Sequence, residues 1–143
     1  MPKPKYEETK VVDIMTKTPI TVTLGDTIGQ ADEIMAENRI RQLPVVRGRE
    51  LLGIITDRDI RSFLSGSSSE LATRERVLNT SVGDIMTTDP ITLAPDDDLE
   101  DAVELLIEEK IGGIPVVDDT EGLIGIITYV DALRCFLNAL QSD

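Results

Sequence analysis

The sequence predicts an α/β (α+β) protein made of two copies of one β-α-β-β-α unit, packed on each other as an intramolecular pseudo-dimer. Three observations lead there. The stretch DIMTKTPITV from Asp13 to Val22 returns as DIMTTDPITL from Asp84 to Leu93, and the match runs on through NRIRQLPVV (from Asn38) and EKIGGIPVV (from Glu109). It closes in two copies of one motif, Gly53-Ile54-Ile55-Thr56-Asp57-Arg58-Asp59 and Gly125-Ile126-Ile127-Thr128-Tyr129-Val130-Asp131. With Asp13–Val46 set against Asp84–Val117 and Leu51–Asp59 against Leu123–Asp131, 21 of 43 positions are identical, which marks a duplication. The period of 71 to 72 residues is longer than that of solenoids and propellers, so each copy is a whole small unit. A unit of about 60 residues buries too little surface to be comfortably stable alone, so the copies should pack together.

The elements follow in the same order in each copy. A short helical turn, Val11–Met15 or Val82–Met86, leads through Pro19 or Pro90 to a brief strand, Ile20–Val22 or Ile91–Leu93. Asp26 or Asp97 then N-caps a helix whose apolar residues recur at helical spacing: Ile28, Ala31 and Met35 in one, Leu99, Ala102, Val103 and Leu106 in the other. The β-branched runs Leu43–Val46 with Leu51–Thr56, and Ile114–Val117 with Leu123–Thr128, flank the turns Arg47–Glu50 and Asp118–Gly122 and read as hairpins. A last helix opens at each Thr, and in the second copy it carries Val130, Leu133, Phe136, Leu137 and Leu140. Repeat one is placed at residues 11–64, a linker at 65–80 and repeat two at 81–141. Within the linker, Ser65–Ser69 is a Gly/Ser-rich break and Glu70–Leu78 a mobile helix or loop. Met1–Lys10 reads as a frayed tail.

Composition excludes several classes. Aromatic content is 3% with no Trp, so the core is built from Ile, Leu, Val, Met and Ala, with Met15 and Met86 among them. The net charge of −13 argues against nucleic acid or an anionic membrane as partner. A single cysteine, Cys135, forms no internal disulfide, and its neighbours Leu133, Phe136 and Leu137 suggest a buried helical position. With no apolar leader segment and no run of 18 apolar residues, the expected location is the cytoplasm. Charge is unevenly spread: Val11–Gly66 has seven basic and eight acidic residues, Val82–Asp143 two basic and fifteen acidic.

The duplicated DIMT turns, the Leu43-Pro44-Val45 and Ile114-Pro115-Val116 strands and the two G-x-x-T-x-x-D motifs identify the resemblance. From Val11 to Leu140 the chain resembles a tandem CBS-domain (Bateman module) protein, of the stand-alone two-CBS type similar to acetoin-utilisation-type CBS proteins. The resemblance implies a regulatory module that binds AMP, ADP, ATP or S-adenosylmethionine in clefts between repeats and relays the binding as a conformational change. It assigns Asp59 and Asp131 to ribose, Thr56 and Thr128 to ribose or phosphate, and the Pro44 and Pro115 strands with Ile20 and Ile91 to the adenine pocket. The implied ligand contacts are thus Ile20, Leu43, Pro44, Thr56, Arg58 and Asp59 at one site and Ile91, Ile114, Pro115, Thr128 and Asp131 at the other. A homodimer, through helices such as Ile28–Asn38 and Val130–Leu140, is implied as well.

Independent physics points the same way. Thr56 and Thr128 each end a strand and open a helix, where unpaired amides and the positive end of the helix dipole suit an anion. The same letters also spell a capping box, in which Thr and the acidic residue three places on bond each other's amides. Both roles can coexist in one site. Arg39, Arg41, Arg47, Arg49, Arg58 and Arg61 fall within 23 residues of an acidic chain; Arg58, in the first turn after Thr56, is the expected phosphate ligand. Val130 stands at the matched place in copy two, near Asp118, Asp119 and Glu121, so phosphate-bearing nucleotides are expected to prefer the Thr56–Asp59 site. Asp96-Asp97-Asp98 reads as dipole compensation at a helix start, not as a metal site. Asp57 and Asp59 lack a His or an activated nucleophile, so no catalytic residue and no required cofactor is expected. The alternative is a constitutive interaction scaffold with vestigial clefts whose acidic second half docks an unidentified protein.

Overall fold

The structure, a computed structural model, describes residues 8–65 and 71–142. Its elements are α1 (Val11–Ile14), β1 (Thr16–Lys17), α2 (Ile28–Asn38), β2 (Gln42–Arg47), β3 (Glu50–Thr56), α3 (Asp57–Ser65), α4 (Leu71–Leu78), a 3-10 turn (Val82–Asp84), β4 (Thr87–Thr88), α5 (Leu99–Glu108), β5 (Gly113–Val117), β6 (Leu123–Thr128) and α6 (Tyr129–Gln141). The mixed α/β class and the duplicated hairpins and helices are as the sequence predicts.

The compact units do not coincide with the repeats. One unit is Ile20–Pro90; the other joins the chain up to Pro19 with the chain from Ile91 onward. Each has an antiparallel three-stranded sheet, in the order β2-β3-β4 or β1-β6-β5. Each repeat therefore gives its leading DIMT segment to the sheet of the other: Thr87 pairs with Ile54, and Thr16 with Ile126. The motif glycines make the close approach feasible. A Cβ on Gly53 would lie 2.5 Å from the Thr87 carbonyl oxygen and 2.8 Å from the Met86 sulfur. A Cβ on Gly125 would lie 2.5 Å from the Met15 sulfur and 2.9 Å from the Thr16 carbonyl oxygen.

The unit Ile20–Pro90 packs Val22, Ile28, Ala31, Met35, Leu43, Val45, Ile55, Ile60 and Val82 into one core, with Met86 against it. In the other unit Val11, Leu93, Leu99, Ala102, Leu106, Ile114, Val116 and Ile127 form the core, with Met15 and Cys135 against it. Cys135 is only partly buried, and its neighbours Leu133, Phe136 and Leu137 are 60%, 50% and 51% exposed, so the expected burial of that stretch is corrected. The spacing that suggested burial is there, but it faces outward.

Several element boundaries shift. The strands expected at Ile20–Val22 and Ile91–Leu93 reduce to single parallel bridges, Val22 to Val45 and Leu93 to Val116. Pro44 and Pro115 sit in edge strands, where a missing N–H costs no ladder bond; their carbonyls accept the Val22 and Leu93 amides at 3.0 Å each. The N-caps of α2 and α5 are Thr27 and Asp98, one residue after the expected Asp26 and Asp97. Asp26 and Asp97 instead accept the Thr23 and Ala94 amides at 2.8 Å each, closing the turn before the helix. Thr27 and Gln30 form a reciprocal capping box.

Residues after the expected break are structural. The 71–78 stretch of the proposed linker is helical and packs on α2 and α3, Val77 is buried, and the Thr80 carbonyl accepts the Ile28 amide at 2.9 Å. Residues 66–70 and 1–7 lie outside the described residues. The end of the expected tail is tied down: the Thr9 carbonyl accepts the Leu99 amide at 2.9 Å, and Lys10 pairs with Asp98. The hydrogen bond that Lys10 donates to Asp98, and then the charges of Asp98, Asp96 and Asp101, raise the Lys10 pKa above the ordinary lysine value. A lysine whose pKa is raised adds stability below its ordinary value for as long as Asp98 is ionised, and that contribution is lost as pH climbs through the raised value.

Candidate functional site

Each expected set of ligand contacts falls within one compact unit. Ile20, Leu43, Pro44, Thr56, Arg58 and Asp59 lie in Ile20–Pro90; Ile91, Ile114, Pro115, Thr128 and Asp131 lie in the other. Antiparallel pairing sets Thr56 opposite Gln42, and Thr128 opposite Gly113, so each motif begins where its hairpin ends. Ile20 and Ile91 are 42% and 40% exposed. Leu43 and Ile114 are fully buried in the two cores, and Pro44 and Pro115, also buried, stand between core residues in the edge strands.

Both Thr-x-x-Asp motifs form reciprocal caps, but the two differ. The Thr56 amide donates to Asp59 Oδ2 at 3.0 Å, and the Asp59 amide to Thr56 Oγ1 at 3.1 Å. Asp59 is partly exposed and makes no further hydrogen bond among the described residues. Asp131 is 8% exposed and more heavily engaged. Its Oδ2 accepts the Thr128 amide at 2.9 Å and the Thr128 hydroxyl at 3.1 Å, while its own amide donates to Thr128 Oγ1 at 3.2 Å. The Thr16 hydroxyl adds contacts of 3.1 Å to Oδ1 and 3.3 Å to Oδ2.

Beside the first motif lies a cavity of about 340 Å³ lined by Asp32, Met35, Ala36, Arg39, Ile40, Arg41 and Asp57. The helix α2 presents Asp32, Met35 and Ala36 at i, i+3 and i+4, and the Asp57 amide donates to the Arg41 carbonyl at 3.0 Å, which anchors the cavity wall to the start of α3. Arg39 holds a left-handed backbone with φ 55°, as does Lys110 at the matched place with φ 54°. Arg58 is exposed, with no ion pair among the described residues, whereas Arg61 reaches Asp57 at 3.3 Å. Sequence reasoning missed this cavity, although Arg39, Arg41 and Asp57 had each been singled out for other reasons; Asp32 gave no signal. It also missed Thr16, which the repeated DIMT segment could have flagged.

Among the described residues no cluster of three or more acidic, His or Cys side chains is placed to hold a metal ion, and no helix is long and apolar enough to cross a membrane.

Comparison with known proteins places this geometry. The model of the CBS domain matches residues 11–66 and again 82–138. A Vibrio cholerae protein with a suggested role in acetoin utilization (AcuB) superposes with a TM-score of 0.80 at 33% identity, covering 93% of each chain. A CBS-pair protein of Arabidopsis thaliana, solved with AMP, superposes at 0.79 and 31% identity, covering 92% of this chain and 98% of its own. A CBS-domain pair solved with 5′-methylthioadenosine and S-adenosyl-L-methionine superposes at 0.75 and 33% identity, covering 90% and 99%. Among curated relatives, an uncharacterized protein of Methanocaldococcus jannaschii is 35% identical over 89% of this chain and 49% of its own length. The inosine-5′-monophosphate dehydrogenase of the same organism is 36% identical over 87% of this chain and 23% of its own. The chain thus spans about half the length of the first of these relatives and about a quarter of the second. The chain belongs to the CBS-domain family and carries the domain twice.

Proposed function

We propose that the chain is a regulatory module that binds an adenosine-containing ligand without chemistry on it and passes the binding on as a conformational signal. AMP, ADP, ATP and S-adenosylmethionine are the candidate ligands. The observation that carries the proposal is the state of the Thr56–Asp59 motif. Its carboxylate accepts one internal hydrogen bond, from the Thr56 amide, and stays partly exposed, while the neighbouring Asp57 lines a cavity that also carries Arg39 and Arg41. In this reading Asp59 accepts ribose hydroxyls, an arginine takes phosphate, and Ile20 offers an apolar surface to the base. Family members solved with AMP and with S-adenosyl-L-methionine support the ligand class. Thermal melting tests it. A ligand at 100 times its Kd adds about 2.7 kcal/mol to the state that binds it, so the melting temperature should rise by several degrees. No shift and no heat with any of the four ligands would sink the proposal.

A second reading, protein interaction, is favoured by α6. Tyr129, Val130, Leu133, Phe136, Leu137 and Leu140 make an exposed apolar stripe at helical spacing. The matched places in α3 are Asp57, Arg58, Arg61, Leu64 and Ser65, so the stripe is no requirement of the fold. Helix α2 shows no exposed large apolar residue among those described, which favours α6 as the dimer helix. A second copy is the proposed occupant. Sedimentation should show a dimer that Leu133→Glu with Leu140→Glu converts to monomer; a monomeric wild type would refute it.

A further inference from the structure

We infer that Thr16 is a specificity-determining residue: its hydroxyl stands on Asp131 where a ribose diol would bind, and so sets the second motif apart from the first. The inference rests on the adenosine reading above and adds to it the residue that makes the two motifs unequal. An ionised carboxylate offers about four lone-pair positions. At Asp131 three donors already converge, namely the Thr128 amide at 2.9 Å, the Thr128 hydroxyl at 3.1 Å and the Thr16 hydroxyl, which spans Oδ1 at 3.1 Å and Oδ2 at 3.3 Å. Oδ1, the oxygen turned away from the cap, has Thr16 as its hydrogen-bond partner.

The first motif lacks this guard. Thr87 is the repeat-two counterpart of Thr16 and pairs with Ile54 as Thr16 pairs with Ile126, yet no hydrogen bond joins it to Asp59 among the described residues. The two DIMT segments are seated alike, against Gly53 and Gly125, so the difference lies in the hydroxyl contact and not in the strand that carries it. A diol that takes Asp131 as a bidentate acceptor competes with Thr16 for Oδ1. The threonine itself is exposed in β1, so its displaced hydroxyl passes to water and the barrier is a graded preference, not a closed door. A hydrogen bond to a charged group corresponds to about tenfold to a hundredfold in affinity.

The test is calorimetric titration of adenosine and of 2′,3′-dideoxyadenosine, both uncharged, into Asp59→Ala and into the same chain with Thr16→Val or Thr16→Ser added. Thr16→Val should raise adenosine affinity about tenfold. Dideoxyadenosine should gain nothing, because it has no diol to use the vacated oxygen, and Thr16→Ser should keep the weak binding of the Asp59→Ala parent. Unchanged or weaker adenosine binding in Thr16→Val would overturn the assignment and make Thr16 a support for the carboxylate. A melting curve of each variant shows whether it folds; if Thr16→Val does not, Thr16→Ala decides by the same criterion. Titration of AMP into the wild-type chain separates the two failures. No AMP uptake there, with none of adenosine in any variant, sinks the adenosine reading and this inference with it, whereas AMP uptake through Asp59 without a gain from Thr16→Val sinks this inference alone.

Discussion

The Asp of each motif has a structural task before any ligand arrives. Asp59 and Thr56 bond each other's amides across the start of α3, so removing the carboxylate unsatisfies a helix-end donor. Asp59→Ala should lower stability by about 0.5–2 kcal/mol, the range of a lost cap, in chemical denaturation. The motif glycine has a task that a ligand-centred reading of G-x-x-T-x-x-D overlooks. A Cβ at Gly53 would press on backbone at Thr87 and on the Met86 sulfur. Gly53→Ala should cost about 1–3 kcal/mol through overpacking, read as a lower denaturation midpoint; an unchanged midpoint would mean that β4 is not held there. The sequence made both residues visible because they recur in both repeats. It could not show that Leu43 and Ile114 turn into the core, since alternate side chains of a short edge strand read alike until the sheet's faces are known.

Among elements, the hairpins were legible from β-branched runs around turns, and the helices from apolar spacing. Helix starts were misplaced by one residue because Asp26 and Asp97 look like caps in isolation, yet their carboxylates close the turn before. The short strands β1 and β4 carry no periodicity, so their exchange between repeats was out of reach. Duplication also copies backbone strain. Arg39 caps the C-terminus of α2 and Lys110 follows the α5 cap Glu109, both in the left-handed region, where residues other than glycine are disfavoured by about 1 kcal/mol. Lys110 is absent from the residues lining the cavity, so Lys110→Gly should raise the melting temperature by about 2–4 °C. A fall would show that its side chain contributes more than the turn costs.

On the scale of the whole molecule, the exchange of leading segments redistributes charge. Unit Ile20–Pro90 holds eight basic and eleven acidic residues, and the other holds six basic and sixteen acidic. On this balance phosphate is expected to be repelled in the second unit and, through Arg39, Arg41 and the exposed Arg58, better tolerated in the first. This charge bias was readable from the sequence halves, and the arginines behind it were named there. The cavity that gathers two of them was not, because it depends on the turn that brings Arg41 to Asp57. The two motifs are accordingly predicted to bind AMP unequally, the Asp59 site tightly and the Asp131 site weakly. Calorimetric titration of AMP into wild type, Asp59→Ala and Asp131→Ala tests this most directly. Asp59→Ala should lose about ten- to a hundredfold in AMP affinity, while Asp131→Ala keeps the wild-type heat; equal losses in both variants, or the larger loss in Asp131→Ala, would contradict the account.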